Sequence, residues 1–481
     1  PVDSFDPSLS ASLNIQHATF PLSNTVTTGV AKFQQNTGTA NFTYSQAFHT
    51  GTAMQVTFDN SRVTNNSLFS TLVPQVNTSF RLTLRQRLLS GFGLGTNTRF
   101  IRIAKNNREI SDISFRNQVI ATVSQIQNIY WDLVNAYEDV KVKERSLALA
   151  EKTLSDNRKQ VEIGTLAPIE IVRAESEVAT RNQELIVSQT NLQLQQLLTK
   201  NAITRDLTDA TLAAAPVIPT DTMEVPDQEP VVPTEDLISE AFQHRPEIAQ
   251  ARIDLTNREI SNRAARNALL PSVDLVAWYG ASALAGLQNP NNTTIPPDSI
   301  PRTGFPNAFG RLFDHDFPDY AVGFNVNIPI RNRAAQADQV RSELEYRQAQ
   351  LRLQQLHNQV GIEVRNAKFA VQQNRARVEA ARKGRELGQQ SLEAEQKKYA
   401  LGASTNFQVL QAQRDLALAE SNLVAARSAY EKSRVELDRV TGLALAHNGI
   451  SVEDAERGQV SAMPSVPGVI PQAEEAKPPT Q

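Results

Sequence analysis

The chain has 481 residues with 48 basic and 51 acidic side chains, which give a formal net charge of −3 at pH 7. The Lys and Arg residues are scattered and form no basic stripe with interleaved aromatic residues, so the composition argues against a nucleic-acid partner. The chain contains no cysteine, which excludes disulfides and thiolate metal sites.

Residues 8–98 predict a β-rich region. Polar and apolar residues alternate over four short stretches, at 8–15, 41–44, 54–58 and 80–84. A period of two is typical of strands with one apolar face. The sequence alone leaves open whether residues 18–76 form an additional hairpin.

From about residue 97 the period of the apolar residues changes. They recur at alternating steps of four and three, which predicts a helix with a heptad seam. Gly164 predicts the end of this helix, Pro168 the start of another, and Lys200 its approximate end. The prediction is a long helical hairpin with a tight tip. The first helix carries the seam residues Val119, Val123, Ile126, Tyr130, Leu133, Tyr137 and Val140.

The second half of the chain repeats this order of elements. A helix is predicted over residues 234–268, strands over 273–279 and 321–328, and a long helix up to about Tyr399. A tip at Gly402 and a return helix to Gly442 follow. Aligning Gly164 with Gly402 matches the two hairpins without a gap, which indicates a tandem duplication.

The predicted domains follow from this duplication. The first repeat covers residues 1–212, a Pro-rich acidic linker 213–235, the second repeat 236–445 and a Pro-rich disordered tail 446–481. The helix before the second repeat's first strand has no counterpart in the first repeat. We infer that an equivalent N-terminal helix is missing or was trimmed.

The most apolar long stretch, residues 268–287, contains Pro271, Asp274 and two glycines, which makes a membrane-spanning helix implausible. If the chain crosses a bilayer, the sequence therefore requires a closed β-barrel.

Several motifs in this order resemble the TolC-like outer-membrane efflux protein family. They are LPSV at 270–273, LLSGFG at 88–93, YWDL at 130–133 and the paired tip glycines. The resemblance implies a mainly α chain with a membrane β-barrel. It implies a trimer in which each protomer gives four strands to a shared 12-stranded barrel and helices to a periplasmic α-helical tunnel.

The function implied by the resemblance is passive conduction. The chain would be the outer-membrane channel of a tripartite efflux or type I secretion system, contacting outer-membrane lipid and extending far into the periplasm. Its partners would be two further copies of itself, a periplasmic adaptor (membrane fusion) protein and an inner-membrane transporter. We expect no enzymatic activity, cofactor or metal, because the six histidines are dispersed and belong to no catalytic or metal-binding motif.

Two sets of site residues follow from the resemblance. Family members carry a ring of acidic residues just after the tip glycine, where this chain has Gln408 and Gln411 in the second repeat and Glu170 in the first. Because glutamine removes the charge, we expect weaker cation block than in acidic-ringed relatives. Without the resemblance, these residues would be an ordinary polar helix face. The predicted adaptor-docking tips are Ile163, Gly164, Thr165, Leu401, Gly402 and Ala403.

Two alternative functions would account for part of this pattern. A periplasmic adaptor also has a long coiled-coil hairpin, but it should have a single hairpin inserted in a β-rich module, whereas this chain has two in duplicate. A soluble coiled-coil scaffold would leave the β segments unexplained.

Overall fold

The computed structural model describes residues 5–204, 215–226, 232–292, 304–314 and 317–458. Most of the predicted tail and parts of the predicted linker lie outside these ranges. The chain divides into two compact units. One comprises Pro1–Glu109 and Ile253–Leu351, and the other comprises Ile110–Arg252 and Arg352–Gln481. Each unit draws segments from both halves of the chain.

The first unit contains one antiparallel sheet of six strands in sequence order. The strands are β1 (Ser8–Pro21), β2 (Lys32–Ala47), β3 (Thr52–Asn65), β4 (Leu72–Arg87), β5 (Ser272–Gln288) and β6 (Pro318–Asn327). All four predicted alternating stretches lie inside strands. The family resemblance implied four strands in each chain, and the described residues form six.

Strands β2 and β3 form a hairpin around Gly51. This glycine has a φ of +91°, a backbone conformation that residues with a side chain rarely adopt. Ser, Thr, Asn and Gln occupy much of both strands, so the apolar alternation is strong only near their centres. The hairpin therefore appeared in the sequence only as two short fragments.

The remaining elements are helices, and two of them are very long. Helix α2 (Arg99–Glu162) has 64 residues and helix α7 (Arg333–Ala400) has 68, which confirms both predicted long helices. Within the described residues no helix is both long and apolar enough to span a membrane. The ten helices of the described residues are α1 (Leu94–Asn97), α2 (Arg99–Glu162), α3 (Ile169–Ile203), α4 (Thr234–His244), α5 (Pro246–Asn267), α6 (Phe305–Arg311), α7 (Arg333–Ala400), α8 (Asn406–Thr441), α9 (Ala444–His447) and α10 (Val452–Arg457).

The helix predicted over residues 234–268 is wrong as a single element, because α4 and α5 are separate. Arg245 between them has an extended backbone, with φ −72° and ψ 123°. The proline ring of Pro246 disfavours a helical conformation at the residue before it and suits the first position of a new helix.

Apolar side chains of the second unit pack along helical seams. On α7, Val360, Val364, Ala367 and Val371 are buried at steps of four, three and four, as in a heptad repeat. One cluster joins α4, α5, α7 and α8. It contains Leu237, Ile238, Ala241, Ile248, Val360, Val364, Ala367 and Val440.

Candidate conduit surfaces

The sheet has one apolar and one polar face. Successive residues of a strand point to opposite faces, so the strand registers assign every side chain to a face. The apolar face forms a band that is about 20 Å long on β1 and β6 and about 13 Å long on β2 and β3, at about 3.3 Å per residue. Asn60 and Arg62 of β3 lie on the same face beyond it. The members of the band include Leu9, Leu13 and Ile15 of β1, Phe42 and Tyr44 of β2, Val56 and Phe58 of β3, Phe80, Leu82 and Leu84 of β4, Leu275 and Tyr279 of β5, and Tyr320, Val322 and Phe324 of β6.

The opposite face is polar and carries paired charges. Arg81 on β4 contacts Asp319 on β6 at 2.8 Å, and Arg85 contacts the buried Asp274 on β5 at 2.5 Å. The indole nitrogen of Trp278 also donates a hydrogen bond to Asp319. Serine, threonine, asparagine and glutamine fill most of the remaining positions. Water-filled surfaces have this composition, and lipid-facing surfaces do not.

The short helix α6 packs against the apolar face of the sheet along the second half of β5. Ala308 is fully buried against Val76 and Ala285, and Leu312 packs against Ala281 and Ala283. The row of alanines on β5 lets the helix approach closely. Three phenylalanines one helical turn apart remain partly exposed beside the band, namely Phe305, Phe309 and Phe313.

Both hairpin tips in the second unit have the same backbone geometry. Gly164 and Gly402 have φ values of +80° and +74°. The amide of Thr165 donates to the carbonyl of Gln160 at 2.9 Å, and the amide of Ala403 makes the matching bond to Lys398 at 2.8 Å. This bond pattern closes a helix with a left-handed residue and ends both predicted helices at their glycines.

The predicted docking residues lie at these tips and are exposed. Ile163 is 77% exposed and Leu401 is 85% exposed. Gly164, Thr165, Gly402 and Ala403 are also exposed. The tips therefore present two large apolar side chains to solvent.

The three predicted gate residues have different surroundings. Gln408 is exposed and completes a capping box with Thr405 at the start of α8. Gln411 is exposed and donates to Asp415 at 3.0 Å. Glu170 is largely covered, and its carboxylate accepts hydrogen bonds from Arg173 at 2.7 Å and from Asn406 at 3.0 Å.

The contact between Glu170 and Asn406 is one of several polar links between the two hairpins near their tips. Tyr399 donates its hydroxyl to Gln160 at 2.8 Å. Burial, together with the nearby Glu170 carboxylate, raises the pKa of Tyr399, so the phenol stays protonated as a donor. Gln413 donates to Thr153 at 3.0 Å. A groove of about 740 Å³ lies between the hairpins here.

A buried ion-pair chain, which the sequence analysis missed, lies farther along the same helices. Glu177 on α3 contacts Arg181 of its own helix at 2.7 Å and Arg414 on α8. Arg181 also contacts Glu184 at 3.0 Å, which contacts Lys143 on α2 at 3.3 Å. The only sequence signal was the four-residue spacing of Glu177 and Arg181, which allows an ion pair on one helix face.

Two neighbouring arginines determine the protonation state of Glu177. Burial alone would raise the pKa of its carboxyl group, but hydrogen bonds from Arg414 and Arg181, together with their positive charges, lower the pKa below the ordinary range. The carboxylate is therefore ionised at neutral pH. Among the residues that the structure describes, no group of three or more His, Cys, Asp or Glu is arranged to hold a metal ion.

Comparison with known proteins gives a family match in the second half of the chain. Residues 237–443 match the model of the family "Outer membrane efflux protein". Among proteins with curated descriptions, none matches this sequence.

Solved structures share the fold over most of the chain. An outer membrane channel of Campylobacter jejuni, CmeC, is 15% identical with a TM-score of 0.60, over 95% of this chain and 81% of that one. VceC, an outer membrane protein of Vibrio cholerae, is 18% identical with a TM-score of 0.58, over 92% and 87%. The open state of the Neisseria gonorrhoeae MtrE outer membrane channel is 16% identical with a TM-score of 0.54, over 92% and 82%. The chain has the fold of outer-membrane efflux channels, which confirms the resemblance seen in the sequence.

Proposed function

From the family match over residues 237–443 and the fold of efflux channels, we propose that this chain is the outer-membrane channel of a tripartite efflux or type I secretion system. It conducts solutes passively from the periplasm to the exterior. An adaptor and an inner-membrane transporter supply the selection of cargo and the energy. The observation that carries the proposal is the two-faced sheet, because it has the pattern of a channel wall in a membrane.

The sheet supports a place in the outer membrane. Its apolar stretches of about 13–20 Å, at about 3.3 Å per residue, fit within the lipid-facing band of outer-membrane barrels, which is about 25 Å tall. The polar face, with its ion pairs Arg81–Asp319 and Arg85–Asp274, then lines a water-filled pore. The helices of the second unit lie in the periplasm.

The surface of helix α3 supports assembly into an oligomer, because within one chain the helix buries mostly polar residues and exposes large apolar ones. Within one chain it buries Glu177, Arg181, Ser188 and Thr199 and exposes a set of large apolar residues. A surface of this kind needs a cover, and a neighbouring copy of the chain provides one in a trimer. The exposed set is Ile169, Val172, Ile186, Val187, Leu194, Leu197, Leu198 and Ile203.

The hairpin tips would provide the contact with the adaptor and the constriction of the tunnel. Ile163 and Leu401 dock the hairpin of a periplasmic adaptor, which approaches closely because the neighbouring Gly164 and Gly402 have no side chain. Glu170, Gln408 and Gln411 lie close to the constriction at the closed end of the tunnel. The polar links between the hairpins hold that end closed until the helices move.

Planar-bilayer conductance of the detergent-purified protein tests this function, with mass photometry of the same sample to count protomers. We expect trimers that insert and form long-lived channels of small conductance, because a constricted tunnel limits the current. A water-soluble monomer or dimer without conductance would instead favour the scaffold or adaptor interpretation.

A further inference from the structure

The two edge strands of the sheet, β1 and β6, have no neighbouring strand on their outer sides among the described residues. β1 pairs with β2 along its whole length, from Ser8 opposite Ser45 to Pro21 opposite Lys32, without a register shift. It is therefore a full member of the sheet, and its outer edge offers a complete row of backbone hydrogen-bonding groups.

Neither edge strand carries the features that normally protect an exposed edge. Proteins block such edges with Lys side chains, prolines or bulges within the strand. β1 has no Asp, Glu, Lys or Arg, and its one proline is the last residue, Pro21. β6 has a single charged residue, Asp319, beside Pro318 at its start. Both edges are suited to pairing with another strand.

The number of strands makes the two edges complementary. The six strands alternate in direction, so β1 and β6 run in opposite directions. When identical copies stand side by side in a ring, β6 of one copy meets β1 of the next as an antiparallel neighbour, like every pair within the copy. An odd number of strands would produce a parallel joint instead.

The β1–β2 hairpin continues the apolar band of the other four strands. One row of directly opposite residues runs across the first five strands through Ala11, Phe42, Phe58, Phe80 and Ala281. All of these side chains lie on the apolar face. The hairpin therefore belongs at the same membrane depth as β3–β6 and is not a loop beyond the bilayer.

Resting on the trimeric channel proposed above, we propose that β6 of each copy pairs with β1 of the next. Three copies of six strands then close an 18-stranded barrel, in place of the 12-stranded barrel that the family resemblance implies. Barrel diameter grows roughly linearly with strand number, so the barrel is about 1.5 times as wide as a 12-stranded one.

Disulfide cross-linking of the full chain in outer-membrane vesicles tests this joint, since the chain has no cysteine of its own. Ser12→Cys in β1 is combined in turn with Ala321→Cys, Gly323→Cys or Asn325→Cys in β6, which scans the register along the polar face. Strands β1 and β6 of one copy lie at opposite edges of the sheet and cannot be bridged within that copy. We expect at least one pair to give a reducible ladder that ends at three copies.

Two further pairs make the result decisive. Ser10→Cys with Thr43→Cys lies across β1 and β2 of one copy, so it should oxidise without forming a ladder. A 12-stranded barrel built from β3–β6 alone would place β3 beside β6 of the next copy. In that barrel, Thr57→Cys with Gly323→Cys would form the ladder, whereas in ours β2 already occupies that edge of β3.

Three outcomes would overturn the 18-stranded barrel. The β3–β6 pair could form the ladder, the ladder could end at two copies, or no β1–β6 pair could form one while the β1–β2 control oxidises. Conductance of the same variants before oxidation distinguishes a failure of the 18-stranded barrel from a failure of the proposed channel function. Channels that persist while the β1–β6 joint fails would leave the channel function intact, and loss of all channels would contradict the function itself.

Discussion

Glu177 of α3 and Arg414 of α8 form an ion pair that joins the two helical hairpins, with a distance of 2.9 Å between the carboxylate and Nε of the guanidinium. The Glu177 side chain is 2% exposed, and its second oxygen contacts Arg181, whose side chain is 8% exposed. Removing the carboxylate would leave the charge of Arg181 buried with only Glu184 as a partner.

We therefore expect Glu177→Ala to lower the free energy of unfolding by about 3 kcal/mol, the usual penalty for breaking a buried ion pair. Glu175→Ala is the matched control, because Glu175 pairs with Arg158 at 2.7 Å but both side chains are about half exposed. That exposed pair should contribute less than about 1 kcal/mol. Unfolding followed by the helical circular-dichroism signal measures both, and equal effects would contradict the importance of burial.

The Glu177 carboxylate also makes the free energy of unfolding depend on pH in the acidic range. The pKa of Glu177 is lower in the folded protein than in the unfolded chain, so its contribution is fully present above the unfolded value of about 4.3. The contribution is lost as the pH falls through the lower folded-state pKa. We expect the difference in stability between the native chain and Glu177→Gln to be constant above about pH 5 and to shrink below about pH 4. A difference that is independent of pH would contradict this assignment.

Local sequence patterns predicted the long helices and their tips. The seam around Leu133 and the glycines at 164 and 402 depend on residues only a few positions apart, and they placed the elements correctly. The break at Arg245 was also local, since Pro246 signals it, but the apolar periodicity on both sides obscured it. The Glu177–Arg414 pair joins distant parts of the chain, so no local pattern could reveal it.

The alternating stretches of the sequence mark all six strands, whereas the count of four strands came from the family resemblance. A pore-lining face tolerates many polar residues, so β2 and β3 are rich in Ser, Thr, Asn and Gln, and their apolar alternation is confined to short central stretches. The polar ends resemble loops in a single sequence, and backbone pairing with β1 and β4 shows how far each strand extends. The roles of Glu170, Gln408 and Gln411 in the constriction remain predictions.

Block of the channel by divalent cations tests the role of the glutamines Gln408 and Gln411 in the constriction. With glutamine at both positions, we expect weak block by Mg²⁺ or Ca²⁺, and the double change Gln408→Glu, Gln411→Glu should strengthen it by creating a carboxylate ring. Glutamate at position 408 preserves the capping box with Thr405, so helix α8 keeps its start. Gln390→Glu, at an exposed position of α7, adds charge away from the tip and should change little. Strong block of the native channel that disappears in Gln408→Ala, Gln411→Ala would contradict the neutral ring.

Adaptor docking is tested by photo-cross-linking in intact cells. A photoreactive amino acid at Ile163 or Leu401 should capture a periplasmic adaptor, identified by mass spectrometry, because both side chains project into solvent at the tips. The control is Leu387 on α7, which is 63% exposed but lies about 20 Å before the tip at 1.5 Å per residue. Capture of the same adaptor with equal yield from position 387 would show that the tips have no special role.

Neighbouring residues in the middle of β3 test which face of the sheet meets lipid. Val56 lies on the apolar face, opposite Leu82, and Thr57 lies on the polar face, opposite Arg81. Both side chains are half-buried, so the two positions differ mainly in the face that they occupy. An arginine on the lipid face near the bilayer centre costs about 2–4 kcal/mol in each copy, whereas an arginine facing the pore remains hydrated.

Val56→Arg should therefore greatly reduce the amount of protein that assembles in the outer membrane, and Thr57→Arg should leave assembly nearly unchanged. Assembly is measured as heat-modifiable oligomer in washed outer-membrane fractions, with total protein as the reference. Arg81 lies directly opposite Thr57, so like-charge repulsion opposes Thr57→Arg, but in a hydrated pore this costs less than about 1 kcal/mol, well below the cost on the lipid face. The reverse pattern would mean that the polar face meets lipid, and equal tolerance of both changes would mean that β3 does not cross the membrane.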